Sequence, residues 1–209
     1  MDVEGTTRYP IAVLVSGSGT NLQALIDASI ADDYSCEIVA VISDRGGVHA
    51  LERAAIAQIP SVVVSWSDYC DRETFTEAVC DIAERHGAAA LVLAGFMRIL
   101  SPEAIRRFPL RIINTHPALL PAFPGAHGIS EALSHGVKLS GVTIHFVDEE
   151  VDHGPIIYQE SVLVEAEDDD EQLRAKIQAI EHREFPRVID AFGRGLLSVE
   201  GRLVNWERR

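Results

Sequence analysis

The chain has 209 residues, of which 47% are hydrophobic and 24% are charged, as is ordinary for a soluble globular protein with a real core. Its formal net charge is −14 at pH 7. Because an acidic chain repels phosphate backbones and anionic membranes at long range, the charge argues against nucleic acid and membrane partners and leaves room for a small anionic metabolite.

Cysteine usage and the longest apolar run predict a cytoplasmic protein. The three cysteines are odd in number and include no C-x-x-C pair, which argues against a disulfide framework and a zinc site. The start, MDVEGTTRYP, is polar and has no apolar core of a signal peptide. The longest apolar run, 88–97, is too short to cross a bilayer and predicts a buried strand.

Apolar runs alternate with helical patterns along the first half of the chain. The predicted strands are 11–16, 37–43, 61–65, 90–96 and 110–114. The predicted helices are 21–30, 49–58, 72–87 and a short helix that begins at Ser101-Pro102. Continuous apolar strands that alternate with helices predict an α/β fold, with a mostly parallel sheet covered by helices on both faces.

The second half changes character. Residues 141–147 and 155–164 alternate apolar with polar side chains, which predicts some antiparallel strands. A long helix is predicted over 170–192, and its acidic start suits the helix dipole. Residues 201–209 predict a short strand and a tail. No linker or repeat interrupts the chain, so we expect a single domain over 1–209.

The segment VSGSGTNLQ, 15–23, joins the first predicted strand to the first helix. Gly17 and Gly19 allow a tight turn, and a helix that begins near Thr20 offers unpaired N–H groups to an anion. Leu22 stands where a dinucleotide fingerprint needs a third small residue, and no lysine completes an ATP-binding loop. The segment therefore predicts a monophosphate site, and the alternative is a plain turn capped by Thr20.

A second polar cluster follows the strand that ends near residue 114. Asn114 and His116 lie where ligands bind in open α/β sheets, and the prolines of 117–124 stiffen the chain after them. Histidine can move protons and an asparagine amide can stabilise an oxyanion. His145 and Asp152 offer partners. Taken singly, each of these residues also fits a structural role, and the acidic turn fits a solvated surface.

Other chemistries are less well supported by the residues. The candidate metal ligands are His116, His127, His145 and Asp152. No recognised metal-ligand spacing links them, so no metal is expected. Ser16 and Ser18 are not set in the G-x-S-x-G pattern of a nucleophilic serine. Asp44 follows the second strand, and without the third glycine a helix-capping role is expected for it.

Four segments together resemble the phosphoribosylglycinamide formyltransferase family, the folate-dependent transformylases of purine synthesis. They are VLVSGSGTNLQALID near the start, LAGFMRILSP (93–102), INTHPALLPAFPGAHG (113–128) and GVTIHFVDEEVDHGPII (141–157). The resemblance implies a Rossmann-like open sheet of the formyltransferase fold. It also implies a nucleotide-phosphate half over about 11–100 and a catalytic and folate half over about 101–192.

The resemblance implies a role for each matching residue. The catalytic residues would be Asn114, His116 and Asp152, with His145 as a supporting histidine. The ribonucleotide would contact Gly19, Thr20, Asn21 and Glu181. The folate would contact Arg72, Met97, Arg98, Ile99, Leu100, Asp148, Glu149, Glu150 and Val151. One departure is GAHGIS, where some relatives carry a second histidine or an arginine.

The implied reaction transfers the formyl group of 10-formyltetrahydrofolate to the amine of glycinamide ribonucleotide. The amine would attack the formyl carbon directly. Asn114 and protonated His116 would stabilise the oxyanion, while Asp152 favours the charged form of His116 and helps route the proton. The implied partners are the ribonucleotide and folate, with no metal, nucleic acid or membrane. A homodimer is left open.

Four rival functions stay open at this point. A 10-formyltetrahydrofolate hydrolase could use the same trio, but such relatives generally carry an N-terminal regulatory domain, for which residues 1–10 leave no room. Methionyl-tRNA and sugar-nucleotide formyltransferases share the trio, and the former would normally add a C-terminal RNA-binding domain. A non-catalytic nucleotide-binding module would bind phosphate ligands without folate-dependent turnover.

Overall fold

The computed structural model describes residues 8–207, so the polar start over residues 1–7 and the last two residues of the predicted tail lie outside the described part. The strands are β1 (Tyr9–Val15), β2 (Cys36–Ser43), β3 (Ser61–Val63), β4 (Ala90–Leu93), β5 (Ile112–His116), β6 (Leu139–Phe146), β7 (Ile156–Leu163), β8 (Leu197–Glu200) and β9 (Leu203–Trp206). The helices are α1 (Thr20–Ser29), α2 (His49–Ile56), α3 (Arg72–Arg85), α4 (Pro102–Arg107), α5 (Gly128–Ser134) and α6 (Asp170–Gly193). A short 3-10 helix spans Trp66–Asp68.

Over residues 8–207 the strands form a nine-stranded sheet in the order β3-β2-β1-β4-β5-β6-β7-β9-β8. Strands β1 to β5 pair in parallel, whereas β6 runs antiparallel to both β5 and β7. The C-terminal strands β8 and β9 form an antiparallel hairpin, and β9 pairs in parallel with β7. The predicted α/β class, mostly parallel with antiparallel strands in the C-terminal half, is confirmed.

Both faces of the sheet are buried at its central parallel strands, which explains the continuous apolar runs there. Along β1, Ile11 and Val13 point into the core beneath α1, α2 and α6. Ala12 and Leu14 point the other way, into the core beneath α3 and α4. All four side chains are completely buried. Since successive strand residues face opposite sides, an uninterrupted apolar strand indicates helices on both faces.

Several element boundaries differ from the predicted ones. Strand β4 ends at Leu93 because Gly95 takes a positive φ of 75° soon after it. Strand β5 continues to His116 because that residue still pairs with Thr143 on β6. Helix α5 and strand β8 were missed. Helix α5 has only seven residues, and its first residue, Gly128, is a poor helix former.

The long predicted helix is confirmed as α6. It begins with a capping box, in which Asp169 accepts from the backbone of Gln172 and the Gln172 side chain accepts from the Asp169 N–H. Among residues 8–207, no helix combines the length and the apolar character that crossing a bilayer would require.

Candidate active site

The polar segments singled out from the sequence converge on one edge of the sheet. The glycine loop leaves β1, the segment with Met97 leaves β4, and β5 ends at His116. These three strands are neighbours in the order β1-β4-β5, and all three are parallel. Their carboxyl ends therefore meet at the point where the chain order reverses, which is where open α/β sheets bind ligands.

Asn114, His145 and Asp152 form a contiguous polar cluster. The Asn114 Nδ2 lies 3.2 Å from Nε2 of His145 and 3.5 Å from Oδ1 of Asp152. The strand register explains the first contact, because Asn114 and His145 are directly opposite each other on β5 and β6. Asp152 reaches the cluster from the loop after β6, where its backbone takes a positive φ of 52°.

His116 is 4% exposed and lies between two hydrogen-bond acceptors. Its Nε2 is 2.8 Å from the carbonyl oxygen of Phe123, and its Nδ1 is 3.4 Å from Oδ2 of Asp152. A carbonyl and a carboxylate can only accept, so the doubly protonated imidazolium matches both partners. The backbone N–H of Gly125 also donates to Oδ2 of Asp152, at 2.7 Å.

The proline-rich loop thus contributes backbone groups to the site. Phe123 and Gly125, on either side of Pro124, both take positive φ values, 54° and 91°. Phe123 directs its carbonyl to His116, and Gly125 directs its N–H to Asp152. These contacts explain why stiff backbone follows the Asn-x-His pair, since backbone groups can orient side chains only if the loop itself is held.

His145 is 1% exposed, and its surroundings favour the neutral ring. Burial lowers the pKa of His145 below its ordinary value, although a hydrogen bond with the Phe146 carbonyl and the charge of Asp152 oppose the shift. The Nδ1 donates to the Phe146 carbonyl oxygen at 2.8 Å. In the neutral ring Nε2 is then an acceptor, which orients the Asn114 amide with its nitrogen toward His145.

The glycine loop opens directly into helix α1. The helix begins at Thr20, as predicted, and its N-cap is Gly19, with a left-handed φ of 69°. No side chain caps this helix end, so Thr20 does not provide the cap that the alternative of a plain turn included. The first N–H groups of α1 are therefore left to a ligand or to water.

A cavity of about 250 Å³ lies beside this loop. Its lining includes Gly19, Thr20 and Asn21 from the loop, and Glu181 from α6. These are the predicted ribonucleotide contacts, so the structure brings all four together. Met97, predicted on the folate side, also reaches this cavity.

Glu181 is 6% exposed, and burial raises its pKa. Hydrogen bonds from Thr115, at 2.9 Å, and from Asn21 oppose the shift. Among the described residues, the Oδ1 atom of Asn21 is buried without a hydrogen-bond partner. Leaving a buried acceptor unpaired costs free energy, so a donor from a ligand would be favoured here.

Sequence reasoning missed several side chains that line this cavity. They are Ser16, Thr115, Arg174 and Gln178. Arg174, Gln178 and Glu181 have the i, i+4, i+7 spacing of one helix face, which was the available signal. That spacing becomes informative only once Glu181 is known to face a cavity.

The predicted folate-side segment after β4 combines exposed apolar side chains with a fixed arginine. Met97 is 60% exposed and Ile99 is 53% exposed, whereas Leu100 packs against the core beneath α3 and α4. Arg98 donates from Nε to Asp44 Oδ2 at 2.7 Å. Its guanidinium carbon also lies 5.0 Å from the centre of an aromatic ring, that of Trp66.

Asp44 does not cap a helix, so that expectation is wrong. Its side chain is completely buried and accepts from both Arg98 and Arg45. Burial alone would raise the pKa of Asp44, but hydrogen bonds from Arg45, Ser16 and Arg98 outweigh it and hold the pKa below its ordinary value. The carboxylate therefore anchors Arg98. Arg72 is at the start of α3 and pairs with Glu73 at 3.5 Å.

The acidic loop between β6 and β7 has its own internal contacts. Asp148 accepts from the backbone of Glu150 at 3.1 Å and lies 2.8 Å from Nδ1 of His153. Arg202, in the hairpin turn between β8 and β9, donates to the carbonyl of His153 at 2.6 Å. The remaining predicted folate contacts here are solvent-exposed; they are Glu149, Glu150 and Val151.

Within residues 8–207, no group of three or more His, Cys, Asp or Glu side chains is arranged to hold a metal ion.

Comparison with known proteins is consistent with this architecture. The formyl transferase family model matches residues 9–189. The chain is 41% identical over 199 residues to phosphoribosylglycinamide formyltransferase of Mycobacterium tuberculosis (strain ATCC 25618 / H37Rv), covering 95% of this chain and 92% of that protein. It is also 41% identical over 194 residues to the trifunctional purine biosynthetic protein adenosine-3 of Gallus gallus, covering 93% of this chain but only 19% of the relative.

A solved structure agrees as well. The crystal structure of glycinamide ribonucleotide transformylase 1 from Symbiobacterium toebii has a TM-score of 0.93 and 42% identity, covering 96% of this chain and 94% of that one. The chain spans about a fifth or less of the trifunctional relatives it matches. Its similarity to the single-function relatives extends over nearly their whole length. As its four sequence segments predicted, the chain belongs to the formyl transferase family.

Proposed function

We propose that this formyl transferase transfers the formyl group of 10-formyltetrahydrofolate to the amine of glycinamide ribonucleotide, a step of purine biosynthesis. One observation carries the proposal. The polar cluster of Asn114, His116 and Asp152, with contacts of 3.4 and 3.5 Å to the Asp152 carboxylate, lies at the same sheet edge as the cavity beside the glycine loop. The names of the relatives that match over nearly their full length support the same reaction.

The ribonucleotide would be held by its phosphate at the glycine loop. The free N–H groups at the start of α1 and the positive end of its dipole favour an anion there. The ribose and glycinamide would extend past Glu181 toward the end of β5. Because Thr115 lies between Asn114 and His116 on β5 and hydrogen-bonds Glu181, the cavity and the reactive cluster share one strand end.

The folate would enter from the other side of the cluster, as co-substrate rather than as a bound prosthetic group. Exposed Met97, Ile99 and Val151 offer apolar surface for a pterin ring, and Arg98 is pre-positioned by Asp44. We assign the folate contacts that the family resemblance implies. They are Arg72, Met97, Arg98, Ile99, Leu100, Asp148, Glu149, Glu150 and Val151.

The amine of the ribonucleotide would attack the formyl carbon, and an oxyanion would form on the formyl oxygen. The Asn114 and His116 nitrogens are 3.5 and 3.4 Å from the Asp152 oxygens, which is long for hydrogen bonds to a carboxylate. Each donor can therefore serve an oxyanion without losing a strong bond to Asp152. Donors aimed at developing charge are a large source of rate enhancement.

Asp152 would handle the proton. The attacking amine must lose a proton, and the folate nitrogen must gain one as its bond to the formyl carbon breaks. Asp152 contacts the other polar groups of the cluster, including His145 at 3.7 Å, so a proton taken from the amine can reach the leaving nitrogen directly or through water. His145 stays neutral and orients Asn114, which makes it a supporting residue.

A folate absorbance assay with and without glycinamide ribonucleotide tests the proposal. We expect deformylation of 10-formyltetrahydrofolate to depend on the ribonucleotide, with the formylated ribonucleotide identified by mass. Deformylation without the ribonucleotide would indicate a hydrolase. Ribonucleotide binding without any deformylation would indicate a non-catalytic binding module, and either result would contradict the proposal.

The same proposal limits the partners of the protein. A net charge of −14 supports small-molecule substrates and no nucleic acid or membrane surface. We place its activity in the cytoplasm, where free thiols such as exposed Cys70 stay reduced. A single-domain chain with a phosphate half and a catalytic half remains our proposal for its organisation.

A further inference from the structure

Helix α2 packs directly against the glycine loop. The backbone N–H of Ala50, in the first turn of α2, donates to the carbonyl oxygen of Gly17 at 3.1 Å. Ala50 is completely buried. A Cβ atom placed on Gly19 would lie only 2.7 Å from both Cα and Cβ of Ala50, so only glycine fits against the helix. The loop therefore has α2 as a rigid support on one side.

The side chain of Arg53, one turn further along α2, also binds the glycine loop. Its Nε donates to the carbonyl oxygen of Ser18 at 2.9 Å, and its Nη1 donates to Oε1 of Gln23 at 3.0 Å. Gln23 in turn donates to Asp27 at 2.8 Å, on the next turn of α1. A single guanidinium thus connects three elements, which are α2, the glycine loop and the first turns of α1.

These contacts determine which way the loop amides point. In a trans peptide the C=O and the following N–H lie in one plane and point in opposite directions. The carbonyls of Gly17 and Ser18 are directed toward α2 by Ala50 and Arg53. The N–H groups of Ser18 and Gly19 must therefore point away from α2. Successive N–H groups that point to one side form a concave anion site, whereas an inward carbonyl would repel a phosphate.

We propose that Arg53 is a positioning residue for phosphate recognition, which holds the loop carbonyls away from the phosphate so that the loop N–H groups face it. The inference rests on the proposed function, because it assigns the glycine loop to a phosphate. Arginine suits this role better than lysine, since its planar fork supplies two donors in fixed directions. Arg53 acts through the loop and not by contact with the reacting atoms.

Two variants of Arg53 and one control separate positioning from simple charge. Arg53→Met removes the fork and the charge, and Arg53→Lys keeps the charge without the fork. Arg183→Met is the matched control. Arg183 and Arg53 line the same second cavity between α1, α2 and α6, but Arg183 pairs with Glu160 and Glu184 and does not contact the loop. Steady-state kinetics would be measured for both substrates, and ribose 5-phosphate would be titrated as a competitive inhibitor.

For Arg53→Met we expect the KM for the ribonucleotide and the inhibition constant of ribose 5-phosphate to rise about tenfold, equivalent to about 1.4 kcal/mol. The folate KM and kcat should stay within about twofold, since the loop acts on binding of the phosphate. Arg53→Lys should show a smaller loss of about threefold, and Arg183→Met should behave like the parent.

Several results would overturn the inference. They are unchanged phosphate-ligand binding in Arg53→Met, equal losses in Arg53→Met and Arg183→Met, or parent-like binding in Arg53→Lys. If Arg53→Met does not fold, Arg53→Lys alone decides. If the parent protein binds ribose 5-phosphate but transfers no formyl group, the proposed function fails while the inhibitor titration, repeated as direct calorimetric binding, still tests Arg53. If the parent does not bind ribose 5-phosphate, the inference fails.

Discussion

Asn114 and His145 are direct partners across β5 and β6, with 3.2 Å between the amide nitrogen of one and Nε2 of the other. They are 31 residues apart in the chain, and only the antiparallel register brings them together. The contact assigns His145 a supporting role, because its neutral ring accepts from Asn114 and thereby orients the amide. That assignment makes a distinct prediction for the dependence of stability on pH.

Replacing His145 should change how stability responds to acid. Since burial lowers its pKa, the unfolded chain binds more protons than the folded protein below the ordinary histidine pKa of about 6.5. The free energy of unfolding should therefore fall as the pH drops through that range. Urea unfolding at about pH 5.5 and about pH 7.5 should show a smaller fall for His145→Gln than for the parent.

The control for this measurement is His49→Gln, an exposed histidine at the start of α2. We expect it to lose as much stability on acidification as the parent does. An identical fall for His145→Gln and the parent would contradict the neutral, buried role assigned to His145. His145→Leu, which removes the acceptor altogether, should also reduce kcat, because Asn114 would lose the ring nitrogen that orients it.

Asp152→Asn should abolish most of the turnover. An amide cannot take a proton from the attacking amine, and it pairs less well with a charged His116, which lies 3.4 Å away. We expect kcat to fall about 100-fold or more, the usual scale for loss of general acid–base catalysis. The KM values for both substrates should change little, and the thermal midpoint should confirm that the variant is folded.

Asp81→Asn is the control, because Asp81 lies on α3 and pairs with Arg107 away from the sheet edge. Near-normal turnover in Asp152→Asn would remove Asp152 from the proposed mechanism. A loss confined to KM would instead make it a binding residue.

Gly19→Ala should weaken both the fold and ribonucleotide binding. The position has a left-handed φ of 69°, and an added Cβ would lie 2.7 Å from Ala50. We expect the free energy of unfolding to fall by about 2 kcal/mol or more, since strain and overlap add. The KM for the ribonucleotide should rise with it, because α2 and the loop must separate.

Gly17→Ala provides the stability control from the same loop, since an added Cβ there meets no atom within 4 Å. Its cost should stay below about 1 kcal/mol in the same chemical unfolding experiment. Equal losses at Gly17 and Gly19 would show that the packing of α2 against the loop is not what requires glycine.

Glu181→Gln should make the free energy of unfolding less dependent on pH. Because burial raises the Glu181 pKa, the folded protein binds more protons than the unfolded chain above the ordinary glutamate pKa of about 4.3. The stability contributed by the protonated carboxyl is thus lost as the pH rises through the folded pKa. The variant lacks this loss, so its free energy of unfolding should decline less than that of the parent from about pH 4.5 to about pH 7.

In kinetics, Glu181→Gln should raise the KM for the ribonucleotide more than it lowers kcat, because Glu181 lines the cavity and lies outside the Asn114 cluster. Glu167→Gln, an exposed residue, is the control and should match the parent in both measurements. If the free energies of unfolding of the variant and the parent change equally with pH, burial does not raise the Glu181 pKa.

Local sequence patterns were sufficient to predict the class of fold and the position of Asn114 and His116. The run 11–16 predicted a strand buried on both faces, and β1 is buried in that way. The strand predicted over 110–114 placed Asn114 and His116 at its carboxyl end, where open α/β sheets bind ligands. Asn114 and His116 both face the Asp152 carboxylate. The burial of β1 and the position of the pair depend on neighbours in the chain, so the sequence alone determined them, whereas the contacts with Asp152 depend on the fold.

Other features depended on tertiary structure. The carbonyl of Phe123, the N–H of Gly125 and the carbonyl of Ser18 are backbone groups, which every residue carries, so no residue type marks them. Arg53 has no motif of its own and becomes important only because α2 packs on the glycine loop. The sequence determined which groups can do the chemistry, whereas long-range strand pairing and helix packing decided which backbone atoms hold them in place.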